Sequence, residues 1–198
     1  MPWPWQRWRQ RQAQRNGRFA ACFEPYRGEE WVALDLETTG LDPRVDEILS
    51  IAAVRGDAQR LRLRERLELT VRSRSERIAD STRHHQLRPV DVHDALPVGE
   101  ALDRLLDFVG ARPLVGYVIG FDVAMLDRPL QQRHGFQLPQ RRIDIRDLYR
   151  RWLAARQPDR PGEANLETIA IALGVPLFDR HTALGDAVTA GLLYLKLR

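Results

Sequence analysis

Three strand patterns in close succession between residues 31 and 71 constrain the fold of this chain more than any other feature. Residues 31–36 form a short, mostly apolar run, which is typical of a strand buried on both faces. Residues 48–55 form a second such run. Residues 61–71 alternate apolar and polar side chains, interrupted only at Glu65, as in a strand with one wet face. The short connections, including a turn at 38–43, favour an antiparallel meander.

The rest of the chain alternates helix and strand patterns. The expected elements are a helix opened by Pro97, a central strand at 114–118, a helix at 121–128 that Pro129 kinks or restarts, a strand at 143–145, and helices near 147–155, at 166–173 between Asn165 and Gly174, and at 183–197. Strands first and alternating elements afterwards predict an α/β fold. Its core is a mixed five-stranded sheet, an antiparallel meander followed by parallel strands, flanked by helices.

Composition excludes several classes of protein. The chain has 198 residues, of which 43% are apolar and 29% charged, as expected for one globular domain and not for collagen, a coiled coil or a disordered chain. A run of about 18 apolar residues, the minimum for a transmembrane helix, is absent. Residues 1–27 lack the apolar region of a signal peptide. A single cysteine, Cys22, excludes an internal disulfide and favours a cytoplasmic location.

Charge divides the chain into two parts. Residues 1–27 contain six arginines and one glutamate, a net charge of +5, so the rest of the chain carries −1. We therefore predict a basic, Trp-rich and poorly ordered extension at 1–28, with a short helix near 6–19, and a domain at 29–198. Trp3, Trp5 and Trp8 leave open an arm that binds nucleic acid, an acidic partner or a membrane surface.

Two acids stand where the first strand should be buried. Asp35 and Glu37 are two residues apart at its end, so their side chains point to the same face. Neighbouring carboxylates repel each other and are costly to desolvate, and a bound Mg²⁺ or Mn²⁺ would remove both costs. The alternative is a solvated strand end beside a turn.

Two later acids and a histidine extend the pattern. Asp122 follows the fourth strand at a strand-to-helix junction, and it could equally be an ordinary first-turn acid. Asp186 shares a stripe of the last helix with apolar residues, although buried acids are rare unless paired or metal-bound. His181 precedes Asp186 by five residues and could be a surface histidine. All four acids can converge at one end of one sheet. There they could bind two divalent ions that support phosphodiester cleavage, with a histidine as general base.

The motifs that carry these residues resemble those of the DEDDh 3′–5′ exonuclease family, which includes the proofreading epsilon subunit of DNA polymerase III and ribonuclease T. The three motifs are Leu34-Asp35-Leu36-Glu37-Thr38-Thr39-Gly40-Leu41, Val115-Gly116-Tyr117-Val118-Ile119-Gly120-Phe121-Asp122 and His181-Thr182-Ala183-Leu184-Gly185-Asp186. Weaker similarities are His85-Gln86-Leu87, Ile143-Asp144-Ile145 and Asn165-Leu166-Glu167. The resemblance covers about residues 30–198.

The resemblance implies a ribonuclease-H-like fold and a metal-dependent 3′–5′ exonuclease. It implies two Mg²⁺ or Mn²⁺ ions as cofactors. The implied substrates are the 3′ ends of single-stranded DNA or RNA, from which nucleoside 5′-monophosphates are released one at a time. The resemblance also implies a role for each site residue. The metal ligands are Asp35, Glu37, Asp122 and Asp186, and His181 is the general base. Thr38 and Leu41 line a pocket for the 3′-terminal nucleotide. A polymerase or other protein partner is a further implication.

One departure from the family keeps an alternative open. Family members commonly have His-Asn where this chain has Tyr117-Val118. The alternative is a non-catalytic or weakly active module that binds nucleic acid or a partner on the same fold. The remaining residues that could carry chemistry are expected in other roles. Arginines 62, 64 and 66 of the third strand form a solvated face, and His84, His93 and His134 are surface-loop or helix-end residues. Asp144 has a structural hydrogen-bonding role, and Trp152 is core or half-buried helix packing.

Overall fold

A computed structural model of the chain describes residues 4–73, 75, 89–157 and 164–198. The elements, in chain order, are α1 (Pro4–Ala13), a 3₁₀ turn (Ala20–Phe23), β1 (Trp31–Thr38), β2 (Ile48–Gly56), β3 (Leu61–Thr70), α2 (Pro89–His93), α3 (Val98–Val109), β4 (Leu114–Gly116), α4 (Gly120–His134), β5 (Arg142–Asp144), α5 (Ile145–Ala154), α6 (Leu166–Leu173) and α7 (Ala183–Leu197). Trp3, His84 and the His85-Gln86-Leu87 motif lie outside the described residues.

The five strands form one sheet in the order β3-β2-β1-β4-β5. β1, β2 and β3 pair antiparallel, whereas β4 is parallel to β1 and β5 is parallel to β4. The predicted α/β fold, with its meander and its parallel strands, is therefore confirmed. β1, and not β4, is the middle strand, because two strands lie on each side of it. β4 lies between β1 and β5.

Helices cover both faces of the sheet. Alternate side chains of β1, Val32, Leu34 and Leu36, pack in one core with α3, α4 and the segment that precedes β1. The intervening side chains, Trp31 and Ala33, pack in a second core with α5, α6 and α7. By the same alternation, the side chains of residues 35 and 37 belong to the face that α7 covers.

α7 crosses this face at very short range. A Cβ atom on Gly191 would lie 2.8 Å from the Leu61 Cδ1 atom and 3.3 Å from the Ala33 Cβ atom, so any larger residue would require the Leu61 side chain to move. Asp186 precedes Gly191 by five residues, about 7.5 Å along a helix. The contact at Gly191 therefore brings the first turn of α7 toward the carboxyl end of β1.

Several predicted boundaries differ from the structure, among them those of α4, β4 and α5. α4 continues through Pro129 to residue 134, so the expected end of this helix at residue 128 is wrong. β4 ends at Gly116, because Val118 adopts a left-handed backbone conformation with φ +53°. α5 begins at Ile145, two residues earlier than expected, because the Asp144 side chain accepts a hydrogen bond from the Arg146 N–H and caps the helix.

Other helix ends lie where the sequence pattern placed them. The Asn165 side chain accepts a hydrogen bond from the Thr168 N–H, and α6 ends before Gly174, which has φ +64°. Pro97 directly precedes α3. α7 has the predicted bounds, 183–197.

The N-terminal segment contributes to the core. Phe19 and Cys22 are both 5% exposed and belong to the core on the α3 and α4 face. α1 spans residues 4–13 instead of the expected 6–19. Whether residues 29–198 fold without the extension stays a prediction.

Candidate active site

The carboxyl end of β1 holds the first two acids. Burial, followed by the charges of Asp122, Asp186 and Glu37, raises the pKa of Asp35 well above its usual range. Burial and the charges of Asp186 and Asp122 raise the pKa of Glu37 to about 8. The acids of three separate elements thus lie close enough to repel one another.

Asp122 connects α4 to β1. It lies in the first turn of α4, is 3% exposed, and its Oδ1 accepts a hydrogen bond from the Leu36 backbone N–H at 3.1 Å. Burial raises its pKa to about 7, against the backbone N–H groups of Asp122 and Leu36, which lower it. The side chain is therefore held against the strand residue between Asp35 and Glu37.

Asp186 lies in the first turn of α7, where it faces the same site. Its Oδ1 accepts a hydrogen bond from Arg180 Nη1 at 2.7 Å, and both side chains are mostly buried. Burial raises the pKa of Asp186 although the Arg180 charge lowers it. Sequence reasoning did not single out Arg180. The signal was its position directly before His181 in the third motif.

His181 lies in the loop that enters α7. Its side chain is exposed and its backbone has φ +63°, while its backbone N–H donates to the Asp186 carboxylate. Thr182 caps α7 by accepting a hydrogen bond from the Gly185 N–H at 3.1 Å. The imidazole therefore lies at the protein surface, just before the first turn of α7.

Thr38 is the last residue of β1, and Leu41 lies in the turn that follows. The Thr38 Oγ1 donates to the Gly40 carbonyl at 2.7 Å, and Leu41 is 84% exposed. Asp46, which sequence reasoning missed, holds this turn together. It is 7% exposed and accepts hydrogen bonds from the Thr39 hydroxyl at 3.1 Å and the Asp42 N–H at 2.9 Å. No sequence pattern singled it out, because its partners come together only in the folded turn.

The residues that depart from the family sequence lie beside the acids. The Tyr117 hydroxyl donates to the Ala164 carbonyl at 2.9 Å, which connects the end of β4 to the segment before α6. The Val118 N–H donates to Asp144 Oδ1 at 3.2 Å, and Asp144 also caps α5. Asp144 thus has the structural role expected of it. Val118, with φ +53°, carries a β-branched side chain in a conformation that strains it.

The predicted surface residues are divided between exposed and packed positions. Arg62 forms ion pairs with Asp57, Glu30 and Glu65, whereas Arg64 and Arg66 are exposed. His93 is exposed beside Asp94. His134 is partly buried, with its ring against the Asp103 carboxylate and stacked on Phe136. Trp152 is half-buried and stacks on Tyr149. His134 is the last residue of α4, as expected of a helix-end histidine, and the Asp103 carboxylate and the aromatic rings partly enclose it.

Carboxylate oxygens are the ligands that Mg²⁺ and Mn²⁺ prefer, so the four acids fit divalent cations by chemistry. Their raised pKa values reflect repulsion and burial that such a charge would relieve. Within the part of the chain that the structure describes, no three His, Cys, Asp or Glu side chains already form a ready metal-binding group. The carboxylates would have to turn toward a shared ion.

Comparison with known proteins agrees with this arrangement. The family model of the RNase T-type exonucleases matches residues 32–194. The PolC-type DNA polymerase III of Thermotoga petrophila is 29% identical over 183 residues, which are 92% of this chain and 12% of that protein. That of Caldanaerobacter subterraneus is 27% identical over 171 residues, 85% of this chain and 11% of that protein. The chain thus spans about an eighth of the length of these relatives.

Solved structures share the fold. Exonuclease I of Methylocaldum szegediense superimposes with a TM-score of 0.71 at 22% identity, over 85% of this chain and 40% of that one. Exonuclease I of E. coli, in complex with a dT13 oligonucleotide, gives 0.70 at 18% identity, over 84% and 40%. The fold is ribonuclease-H-like, as the resemblance implied.

The chain belongs to the exonuclease family, with a DEDDh-type set of motifs. This confirms the family that the sequence predicted. Among the described residues, no helix combines the length and the apolar character needed to cross a membrane.

Proposed function

We propose that this chain is a metal-dependent 3′–5′ exonuclease that removes nucleoside 5′-monophosphates from the 3′ end of single-stranded nucleic acid. The observation that carries the proposal is the meeting of four acids from β1, α4 and α7 at one end of the sheet, each with a raised pKa. Buried acids that raise one another's pKa are costly to the fold and are typical of functional sites.

Four side chains would hold the cations: Asp35, Glu37, Asp122 and Asp186. Two Mg²⁺ or Mn²⁺ ions, when bound, would supply the charge that stabilises the attacking and leaving oxygens. His181, exposed at the helix entry, would take the proton from the attacking water as general base. A bond then forms from the water oxygen to the terminal phosphorus, and the bond to the 3′ oxygen of the preceding nucleotide breaks.

The turn after β1 supports a role in binding the terminal nucleotide. Leu41 exposes an apolar side chain close to the end of β1, the strand that carries Asp35 and Glu37. Thr38 fixes the turn through the hydrogen bond that its hydroxyl donates to the Gly40 carbonyl. An exposed leucine gives a nucleobase an apolar surface to pack on without selecting its sequence. Thr38 and Leu41 would therefore position the 3′-terminal nucleotide.

The relatives suggest the kind of substrate and partner. Single-stranded DNA is the first candidate substrate, because the E. coli structure of the same fold contains a dT13 oligonucleotide. A polymerase is the first candidate partner, since the curated relatives are PolC-type DNA polymerases. RNA stays a second candidate substrate, and a cytoplasmic location stays part of the proposal.

One observation favours the second candidate function, a weakly active or non-catalytic binding module. Val118 strains the backbone at the end of β4, four residues before Asp122, at the position where the family commonly has asparagine. Asparagine tolerates φ near +60° better than valine does. The substitution could therefore lower the precision of the site while leaving all four acids in place.

The test is degradation of 5′-labelled single-stranded DNA and RNA of the same sequence with Mn²⁺, with an EDTA control. We expect a ladder that shortens from the 3′ end and disappears with EDTA or in Asp186→Ala. Asp147→Asn changes an exposed acid of α5 and is the matched control that should retain activity. Binding without cleavage, unchanged in Asp186→Ala, would support the binding module instead.

A further inference from the structure

Arg180 forms an ion pair with one of the proposed metal ligands. Its Nη1 lies 2.7 Å from the Asp186 Oδ1, and the two side chains are 24% and 16% exposed. A partly desolvated pair at this distance is stronger than a surface ion pair, which contributes little. The guanidinium is therefore held in the acidic site and does not merely lie near it.

The loop that carries Arg180 is folded tightly against α7. The Thr182 Oγ1 donates to the Asp179 carbonyl at 2.7 Å, and a Cβ atom on Gly185 would lie 2.3 Å from that carbonyl oxygen. Asp179 and His181, on either side of Arg180, both have positive φ, +25° and +63°. Such backbone costs energy for non-glycine residues and persists only where the surroundings impose it. The side chain of Arg180 thus reaches Asp186 from a constrained backbone.

The charge of Arg180 acts on three of the four site acids. It lowers the pKa of Asp35 and Glu37 as well as that of Asp186, against the raising effects of burial and of the neighbouring acids. A divalent cation would act on the same carboxylates in the same direction. Arg180 and a metal ion therefore satisfy the same need of the fold.

We propose that Arg180 is an internal counter-ion that competes with a divalent cation for Asp186 and so sets the metal affinity of the site. The inference rests on the proposed function. Arg180 is a positioning residue in this scheme, because it acts through Asp186. Its displacement would also shift the adjacent His181, whose N–H bonds to the same carboxylate. Metal occupancy and the position of the general base would thus be linked.

The experiment measures Mn²⁺ binding to the full chain without nucleic acid, by calorimetry and by the electron paramagnetic resonance signal of free Mn²⁺. We expect Arg180→Gln to bind Mn²⁺ at least ~10-fold more tightly than the wild type, since an adjacent opposite charge shifts proton affinity of a carboxylate by about one to three pKa units. Arg180→Lys, which keeps the charge, should remain close to the wild type. Arg104→Gln removes an exposed ion pair with Glu100 on α3 and should change nothing.

The outcomes separate this inference from the proposed function. Mn²⁺ binding by the wild type that is lost in Asp186→Asn, with no tightening in Arg180→Gln, would overturn the competition and leave the exonuclease proposal standing. Weaker Mn²⁺ binding by Arg180→Gln would mean that Arg180 stabilises the loop, and it would also overturn the proposed competition. Absence of Mn²⁺ binding from both the wild type and Arg180→Gln would overturn both proposals.

Discussion

Two groups of carboxylates in this molecule have opposite electrostatic surroundings. Asp57 and Glu30 form a network with Arg62 and Arg112 near the start of β1 and the edge strand β3. Hydrogen bonds from the Gln59 backbone and the Arg62 side chain lower the pKa of Asp57 to about 2. The acids at the other end of β1 are buried together, and their pKa values are raised.

This difference separates acids that are paired with arginine from acids that repel one another. Each acid of the Arg62 network has an arginine partner, so its ionised form is favoured in the folded state. Among the described residues, the Arg180 guanidinium lowers the pKa of three of the site acids without offsetting the effect of burial. The sheet thus carries a self-neutralised cluster at one end and an uncompensated acidic cluster at the other. The second is the one suited to cations.

The largest effect should come from removing one site acid. We expect Asp122→Asn to lower exonuclease turnover by about 10³-fold or more, because metal-held charge supplies several kcal/mol of transition-state stabilisation and each 1.36 kcal/mol is tenfold. Asp57→Asn, in the paired cluster, should retain turnover. Single-turnover cleavage of labelled single-stranded DNA measures both. Equal losses in the two variants would contradict the division between the clusters.

Metal affinity should depend steeply on pH. Glu37 and Asp122 have raised pKa values, about 8 and about 7, so both are largely protonated at pH 6 and must release protons to bind a cation. We expect the Mn²⁺ affinity to be at least ~100-fold weaker at pH 6 than at pH 8, about tenfold per pH unit, which corresponds to the release of about one proton for each ion bound. Calorimetric titrations at both pH values, in buffers of different ionisation enthalpy, would measure the affinity and the proton release. A pH-independent affinity would mean that these two acids are not ligands.

Stability without divalent cations should respond in opposite directions to substitution in the two clusters. A carboxyl group with a raised pKa binds more protons in the folded than in the unfolded state, so it lowers stability as pH rises above about 4. Asp35→Asn should therefore raise Tm by at least ~2 °C at pH 8, the shift that about 1 kcal/mol gives at this length, and by less at pH 5. Calorimetric melting in EDTA measures it.

Asp57→Asn supplies the matching half of that comparison. Its lowered pKa contributes stability that is present above about pH 4 and is lost as pH falls toward about 2. We expect Asp57→Asn to lower Tm at pH 7 and to approach the wild type near pH 2. A gain in Tm from Asp57→Asn, or a loss from Asp35→Asn at pH 8, would reverse the assignment of the two clusters.

The smallest expected effect concerns the strained residue near the acids. Val118→Asn should raise the free energy of unfolding by about 1 kcal/mol, because asparagine adopts φ near +53° at a lower cost than valine. Val45→Asn, at an exposed position, should change stability by less than ~0.5 kcal/mol. Urea unfolding measures both. An unchanged midpoint in Val118→Asn would mean that the backbone conformation at residue 118 costs valine no more than it costs asparagine.

Much of the fold follows from local patterns in the sequence. The meander, the two parallel strands, the Asn165 cap and the bounds of α7 could all be predicted, because strand alternation, capping residues and helix stripes depend on neighbours in the chain. The continuation of α4 through Pro129 could not, since packing against the sheet can outweigh the local cost of proline.

The candidate site divides in the same way. The sequence by itself singled out the four acids and His181 as candidates. Acids at predicted strand ends and on an apolar helix stripe conflict with burial, and the motifs that carry them and His181 resemble those of the exonuclease family. Only the tertiary structure decided that Arg180 reaches Asp186, that Asp46 holds the turn before β2, and that Val118 is strained. Those contacts depend on where loops meet helices and strands in space, and no spacing along the chain encodes that meeting.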